Sequence, residues 1–260
     1  MSIHKTEAIV INRRDFRETS VIANFYTRDF GKISGILKGI RTEPEKFASP
    51  VEPFSYNEIV FYKKRNSSLH LVSQCDLKDN FLPIRQSILK TGLSSIMMEL
   101  LDSIMPAEDR NEEVFNLTID SLKELQNNGN PDKIITIFKI KILSLSGFKP
   151  HFDSCVSCYS KIIGESKFSL SLGGLLCMSC SKKDLRARSI FKGTVASILH
   201  IQKNDFKTNL NLGMNPQIKK ELELILNSFL NFHLEKELRT EKVLSNIHNL
   251  GAPVHLRRQR

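Results

Sequence analysis

Apolar and polar positions along the first 80 residues come in short runs of strand length. Residues 6–12, 20–26, 32–38, 54–62 and 69–76 mix β-branched, aromatic and polar side chains, which predicts five strands. The turns between them are polar or contain Gly and Pro: Arg13-Arg14-Asp15, Arg28-Asp29-Phe30-Gly31, the stretch 42–53, and Arg65-Asn66-Ser67-Ser68. Five strands with no helix among them fit a small barrel of the OB type. An SH3-like barrel would show nearly the same pattern.

Beyond residue 80 the period becomes helical. Ile88, Leu89, Leu93, Ile96, Met97, Leu100, Leu101 and Ile104 follow the three-and-four spacing of a helix buried on one face. A second helix is expected over 111–126, with Val114, Phe115, Leu117, Leu122 and Leu125 apolar. A third is bracketed by Asn130 as cap, Pro131 at the first helical position and Gly147 after the last turn. Helices resume near 189–202 and from 215 onward, the latter on a stripe of Ile218, Leu222, Ile225, Leu226, Phe229 and Leu230. The expected organisation is α+β: a barrel domain over 1–80, and a helical domain over 81–250 interrupted by an insert at 148–185. A basic, disordered tail at 251–260 completes it.

Nothing reads as a membrane span, because Lys139 and Lys141 interrupt the greasiest run at 134–145. The first residues lack the apolar core of a signal peptide, so the expected compartment is the cytoplasm. Net charge is +10, and its distribution matters more than its size. Residues 1–80 carry +3, residues 81–180 carry −1, and residues 181–260 carry +8. A basic surplus flanking a neutral middle suits a polyanion, for which nucleic acid is the commonest candidate.

Five cysteines in such a chain argue against a disulfide framework. Cys75, alone in a strand, is expected to be a small buried hydrophobe. The other four form two C-x-x-C pairs, Cys155/Cys158 and Cys177/Cys180, with 18 residues between them. Two residues between cysteines let a tight knuckle aim both sulfurs at one ion, and two knuckles complete a tetrahedron, so the spacing predicts one zinc ion. Four thiolates leave no open position, which makes such a site structural rather than catalytic. Gly173-Gly174 supplies the permissive backbone before the second pair, and His151 is expected at the surface rather than in the ligand set. The insert has too few apolar residues to fold unaided.

Enzyme signatures are missing from the sequence. His233-Leu234-Glu235 follows the cysteines instead of preceding them, and neither pair has a preceding proline, so the zinc-deaminase pattern fails. No phosphate-binding loop, dinucleotide fingerprint, H-E-x-x-H or G-x-S-x-G occurs. The expectation is a protein that binds rather than catalyses.

Three stretches carry a resemblance. Arg14-Asp15-Phe16-Arg17-Glu18-Thr19 leads into Phe25 to Lys32 and then Lys38-Gly39-Ile40-Arg41; Leu143 to Pro150 leads into Cys155; and Gly173-Gly174-Leu175-Leu176 leads into Cys177. In this order they resemble the RecO family of bacterial recombinational repair mediators. The resemblance implies binding of single- and double-stranded DNA and annealing of complementary strands. It also implies work with RecR to place RecA on DNA coated by single-stranded-DNA-binding protein, without nucleotide hydrolysis and near the nucleoid.

Lys38 and Arg41 fall on the family's K-G-x-R positions and are the first candidates for phosphate contacts. Arg13, Arg14, Arg17, Arg28, Lys32, Lys63, Lys64 and Arg65 are candidates to extend that surface, although hairpin tips are often basic for solubility alone. Among the aromatics, Tyr56 and Tyr62 are candidate base-stacking platforms. The family's pocket for the tail of the single-strand-binding protein lies in the helical domain. Lys139 and Lys141 match it poorly and are read as helix-surface lysines. A zinc-ribbon RNA-binding or ribosome-associated factor on the same barrel is the alternative.

Overall fold

A computed structural model of the chain describes residues 2–64, 67–127, 129–234, 238 and 240. Five strands, β1 (Ser2–Phe16), β2 (Ser20–Thr27), β3 (Gly31–Leu37), β4 (Tyr56–Lys63) and β5 (Leu69–Asp79), close into a barrel in the order β1-β2-β3-β5-β4. β1 pairs with both β2 and β4. β5 returns to lie parallel beside β3, with Ser34 opposite Leu69 and Ile36 opposite Leu71. That parallel β3–β5 pairing closes the barrel in the strand order of an OB-type fold.

β2 and the middle of β1, residues 8–11, bury both of their faces. Ala8, Val10, Val21, Ala23 and Phe25 point into the barrel with Ile33, Leu37, Ile59, Phe61, Val72 and Cys75. Ile9, Ile11 and Tyr26 point outward into a second, larger core built by the helices. Phe25 and Tyr26 therefore do alternate in and out, yet neither is exposed, because the barrel's outer wall is also the floor of the helical layer. Cys75 is wholly buried, and burial pushes its thiol up to about 12, as expected of an inert core residue.

The helical layer begins with a short turn, α1 (Leu82–Arg85), that periodicity did not reveal, followed by α2 (Ile88–Ile104), α3 (Glu112–Gln126) and α4 (Pro131–Leu145). The starts are chemically marked. Ser87, Asn111 and Asn130 each accept a hydrogen bond from an amide three residues on. Gly147 takes φ +85° just past the end of α4. After the insert come α5 (Lys192–Lys203), a short α6 (Phe206–Leu210) and α7 (Pro216–Leu234). Ser189 and Ile190, expected to open a helix, instead belong to a strand, Arg188–Ile190. Lys139 is not a surface lysine. It is buried against α7 with Nζ donating to Asn227 Oδ1 at 2.8 Å, while Lys141 Nζ donates to the Gln202 carbonyl at 3.2 Å. The residues expected to form the tail, 251–260, lie outside the described residues. No described helix is long and apolar enough to cross a membrane.

An ionic knot joins the two layers. Arg28 Nε donates to Glu7 Oε2 at 2.6 Å, and its Nη1 donates to Glu112 Oε1 and Asn116 Oδ1 on α3. Its guanidinium lies 4.7 Å over the Phe115 ring. Burial alone would raise the Glu7 carboxyl, but hydrogen bonds from Lys78, Tyr56 and Arg28 outweigh it and pull the pKa down to about 2. A depressed carboxyl stabilises the fold above its unfolded pKa, and the contribution disappears as pH falls from about 4.5 through about 2. Glu7→Gln should cost on the order of 2 kcal/mol at neutral pH, after allowance for solvent screening. It should also flatten the acid limb of a plot of thermal midpoint against pH. An acid limb identical to that of the parent protein would refute this account of the knot.

Candidate nucleic-acid interface and metal centre

The outer faces of β1, β2 and β3 are divided between the helical layer and solvent. On one half the polar row Ser34–Asn24–Asn12 crosses the three strands, each side chain donating to the next, and Asn12 donates to Asp102 of α2. On the other half Arg14 stands opposite Ile22, Ile22 opposite Ile36, and Ile36 opposite Leu71. Cross-strand partners share a face, so Arg14, itself exposed, shares this outer face with Ile22 and Ile36, both of them buried. β1 reaches it because a register shift between Val10 and Asn12 lets the strand run on to Phe16, well past the expected limit at residue 12.

Lys38 and Arg41 border the same rim. Lys38 is exposed and forms no ion pair among the described residues. The Arg41 amide is fixed on the Thr19 carbonyl at 3.1 Å, and its guanidinium donates to the Arg17 carbonyl at 3.0 Å, with Asp15 3.6 Å away. Arg17 sits in the β1–β2 turn at φ +55°, its guanidinium 5.3 Å over the Phe16 ring. Arg13 points along the hairpin to the Pro50 carbonyl at 2.8 Å. The turn therefore brings Arg14, Arg17, Lys38 and Arg41 to one exposed edge.

Other candidates are placed elsewhere. Arg28 is spent on Glu7, Glu112 and Asn116. Lys32 Nζ donates to the Asp102 carbonyl at 2.5 Å and lies 3.3 Å from its carboxylate, so it ties β3 to α2. Lys63 Nζ donates to Glu108 Oε2 at 2.6 Å. Lys64 is half-buried in the β4–β5 connection, and Arg65 lies outside the described residues. Tyr56 is no free platform: its hydroxyl donates to Glu7 and its ring meets Phe115 edge-on. Tyr62 is half-buried.

The four paired cysteines converge. All four Sγ atoms lie within 4.8 Å of one another, and Cys158 and Cys177 are 3.8 Å apart. The edge of a tetrahedron with zinc–sulfur bonds of about 2.3 Å is about 3.8 Å, so the cradle fits such an ion. Burial works to raise the Cys155 thiol, yet amides of Cys177, Cys158 and Ser157 aimed at its sulfur hold it down to about 6. Against a lowering hydrogen bond from Ser157, the sulfurs of Cys158 and Cys177 push Cys180 up to about 11. Sulfurs this crowded cannot all be thiolates without a cation among them.

A small sheet carries the second knuckle: β6 (Ser166–Ser169), β7 (Gly174–Cys177) and β8 (Arg188–Ile190), in the order β7-β6-β8. Gly173 takes φ +67° in the β6–β7 turn, and a side chain at Gly174 would meet the His151 carbonyl at 2.7 Å. His151 is not a ligand. Its amide and carbonyl staple Gly173 and Leu175, and its ring bonds to Ser154 at 2.6 Å. Phe152, Phe168, Leu175 and Ile190 of the insert join the helical core, with Phe152 and Phe168 stacked at 5.2 Å.

Comparison with known proteins agrees with this layout. Residues 1–81 match the model described as recombination protein O N terminal, and residues 85–242 the one described as recombination protein O C terminal. A DNA repair protein RecO of Syntrophus aciditrophicus is 28% identical over 254 residues, covering 95% of this chain and 97% of the relative. One from Thermoanaerobacter sp. is 28% identical over 253 residues, covering 96% and 100%. One from Alkaliphilus metalliredigens is 30% identical over 233 residues, covering 89% and 94%. With both halves matched in order and almost the whole length covered, the chain belongs to the RecO family.

Proposed function

We propose that this chain is a DNA repair and recombination protein that binds single- and double-stranded DNA and anneals complementary strands. In this reading it works with RecR, contacts the tail of the single-stranded-DNA-binding protein, and helps load RecA, without catalysing a reaction itself. The observation that carries the reading is the exposed edge of Arg14, Arg17, Lys38 and Arg41 at one end of an OB-type barrel, a fold that takes oligonucleotides on its strands and loops. Cys155, Cys158, Cys177 and Cys180 would hold one structural zinc ion, which supplies a cross-link between the two knuckles and no reactive position.

The test is an annealing assay with two complementary strands, one precoated with the single-strand-binding protein. Annealing faster than the spontaneous rate is expected. RNA bound more tightly than DNA, with no annealing, would replace this reading by the RNA-binding one. Lys38→Ser with Arg41→Ser should weaken single-strand binding and reduce the slope of log affinity against log salt by about one to two. An unchanged slope would count against this edge.

A further inference from the structure

The largest surplus of positive charge in the sequence falls outside the barrel segment. Residues 181–260 carry +8, and part of that charge sits in the stretch Lys182-Lys183-Asp184-Leu185-Arg186-Ala187-Arg188, a loop flanked by the end of a 3-10 turn (Met178–Lys183) and the first residue of β8, with Lys192 just beyond β8. We infer that this loop is a second phosphate-binding surface, which takes the backbone of a nucleic-acid strand separately from the barrel edge. The inference rests on the nucleic-acid reading given under Proposed function and adds a second site to it.

Three observations support it. First, Lys182, Lys183, Arg186, Arg188 and Lys192 are all exposed, and their side chains make no hydrogen bond or close ion pair among the described residues. This contrasts with the barrel, where Arg28, Lys32 and Lys63 are consumed by carboxylates.

Second, the one acid in the run, Asp184, forms no close ion pair with the cations among the described residues, although Arg186 is near enough to add to the hydrogen bonds, Ser169 first, that hold its carboxyl below the usual range. Those hydrogen bonds hold the segment in shape. Asp184 Oδ2 accepts from Ser169 Oγ at 2.6 Å and from Ser171 Oγ at 3.1 Å, and Oδ1 accepts from the Arg186 amide at 2.8 Å. The carboxylate thus pins the loop to the end of β6. A loop already ordered loses less conformational entropy when it binds than a free basic tail would.

Third, an aromatic side chain is exposed at the same end of the insert. Tyr159 is 77% exposed and follows Cys158 directly, while Lys182 follows Cys180 by two residues. Because the Cys158 and Cys180 sulfurs lie within 4.8 Å of each other, both flank the same cysteine cluster. Exposed cations and an exposed ring flanking one cluster supply the two elements that bind single strands, phosphate attraction and base stacking. An acidic peptide would need a hollow for its apolar side chains. Here the apolar Leu185 stands out at 91% exposure instead of lining one.

The test uses the full-length protein with its metal and a fluorescent 30-nucleotide oligothymidine titrated across a salt series. Lys182→Ser, Lys183→Ser, Arg186→Ser and Arg188→Ser are combined in one variant. At about 0.7 per phosphate contact on a single strand, its salt slope should fall by about two to three and its low-salt affinity by tenfold or more. As a second readout that needs no variant, lysine acetylation of the parent protein, mapped by mass spectrometry, should show Lys182 and Lys183 protected by oligothymidine. An unchanged slope, or Lys182 and Lys183 acetylated equally with and without DNA, overturns the inference. So does a variant that binds oligothymidine normally but loses polyglutamate, which would mark a protein-docking surface. If Lys38→Ser with Arg41→Ser weakens binding while the loop variant does not, this inference alone fails. If the parent protein binds no DNA at all, the functional reading fails with it.

Discussion

Gly31→Ala is expected to lower the thermal midpoint by roughly 8–12 °C, the largest effect of any single added methyl group in the barrel. Gly31 opens β3 at φ +63°, and a Cβ built there would lie 2.1 Å from the Asp109 carbonyl oxygen and 2.7 Å from its nitrogen. Both atoms are backbone, so no side chain can swing away. Residues 105–111, the connection between α2 and α3, run over this end of the barrel. There Lys32 and Ala107 form a bridge, the Glu108 amide donates to the Lys32 carbonyl at 2.9 Å, and the Glu108 carboxylate receives Lys63. Alanine would cost about 1–2 kcal/mol for the left-handed backbone. It would also force the connection outward and weaken bonds worth about 1 kcal/mol each. The total is about 3 kcal/mol. Gly39→Ala is the control. Gly39 takes φ +80° but a Cβ there meets nothing within 4 Å, so only the backbone cost of about 1 kcal/mol applies. Equal midpoints for the two variants would show that contact with Asp109 is not what makes Gly31 necessary.

This glycine also shows where reading the sequence stops. Gly31 was legible as a turn residue, but its closest neighbour in space is 78 positions away. The same limit explains the basic candidates. Lys38 and Arg41 were singled out by the sequence, and Arg14 and Arg17 join them because a tight turn and a neighbouring strand bring them together locally. Arg28, Lys32 and Lys63 looked equivalent in sequence, yet each pairs with an acid 45 to 84 residues away along the chain. Alternation identified β2 as a strand. It could not say that its outward residues, Tyr26 among them, would be covered by helices. The cap at Asn130 was legible for the opposite reason: it acts on an amide three residues away, so its chemistry is written in the local sequence. The strands β6 and β8 escaped notice because four- and three-residue strands carry too few alternations to show a period.

The cysteine cluster was legible because knuckle geometry is also local, and it supports the second large prediction. Cys155→Ser should abolish metal binding and lower the thermal midpoint, with most of the damage confined to the insert. Cys155 is wholly buried, and its sulfur accepts the Cys177 amide at 3.4 Å. Its carbonyl accepts the Tyr159 amide, its amide donates to the Ser160 carbonyl, and the Val156 amide donates to the Leu175 carbonyl. Serine preserves the size but offers a poor ligand, so three thiols would be left crowded without a cation. A structural zinc ion in a small peptide contributes about 10–16 kcal/mol to its folding. Far less should be lost here, because Phe152, Phe168, Leu175 and Ile190 anchor the insert to the helical core without help from a metal. The expected result is therefore about one zinc ion per parent chain, none in the variant, and new protease cleavage within 153–187, while the barrel and helical layer stay folded. Cleavage spreading into α3 and α4 would mean that the metal organises the whole helical layer. A parent protein purified without chelator that contains no metal would remove the structural role altogether.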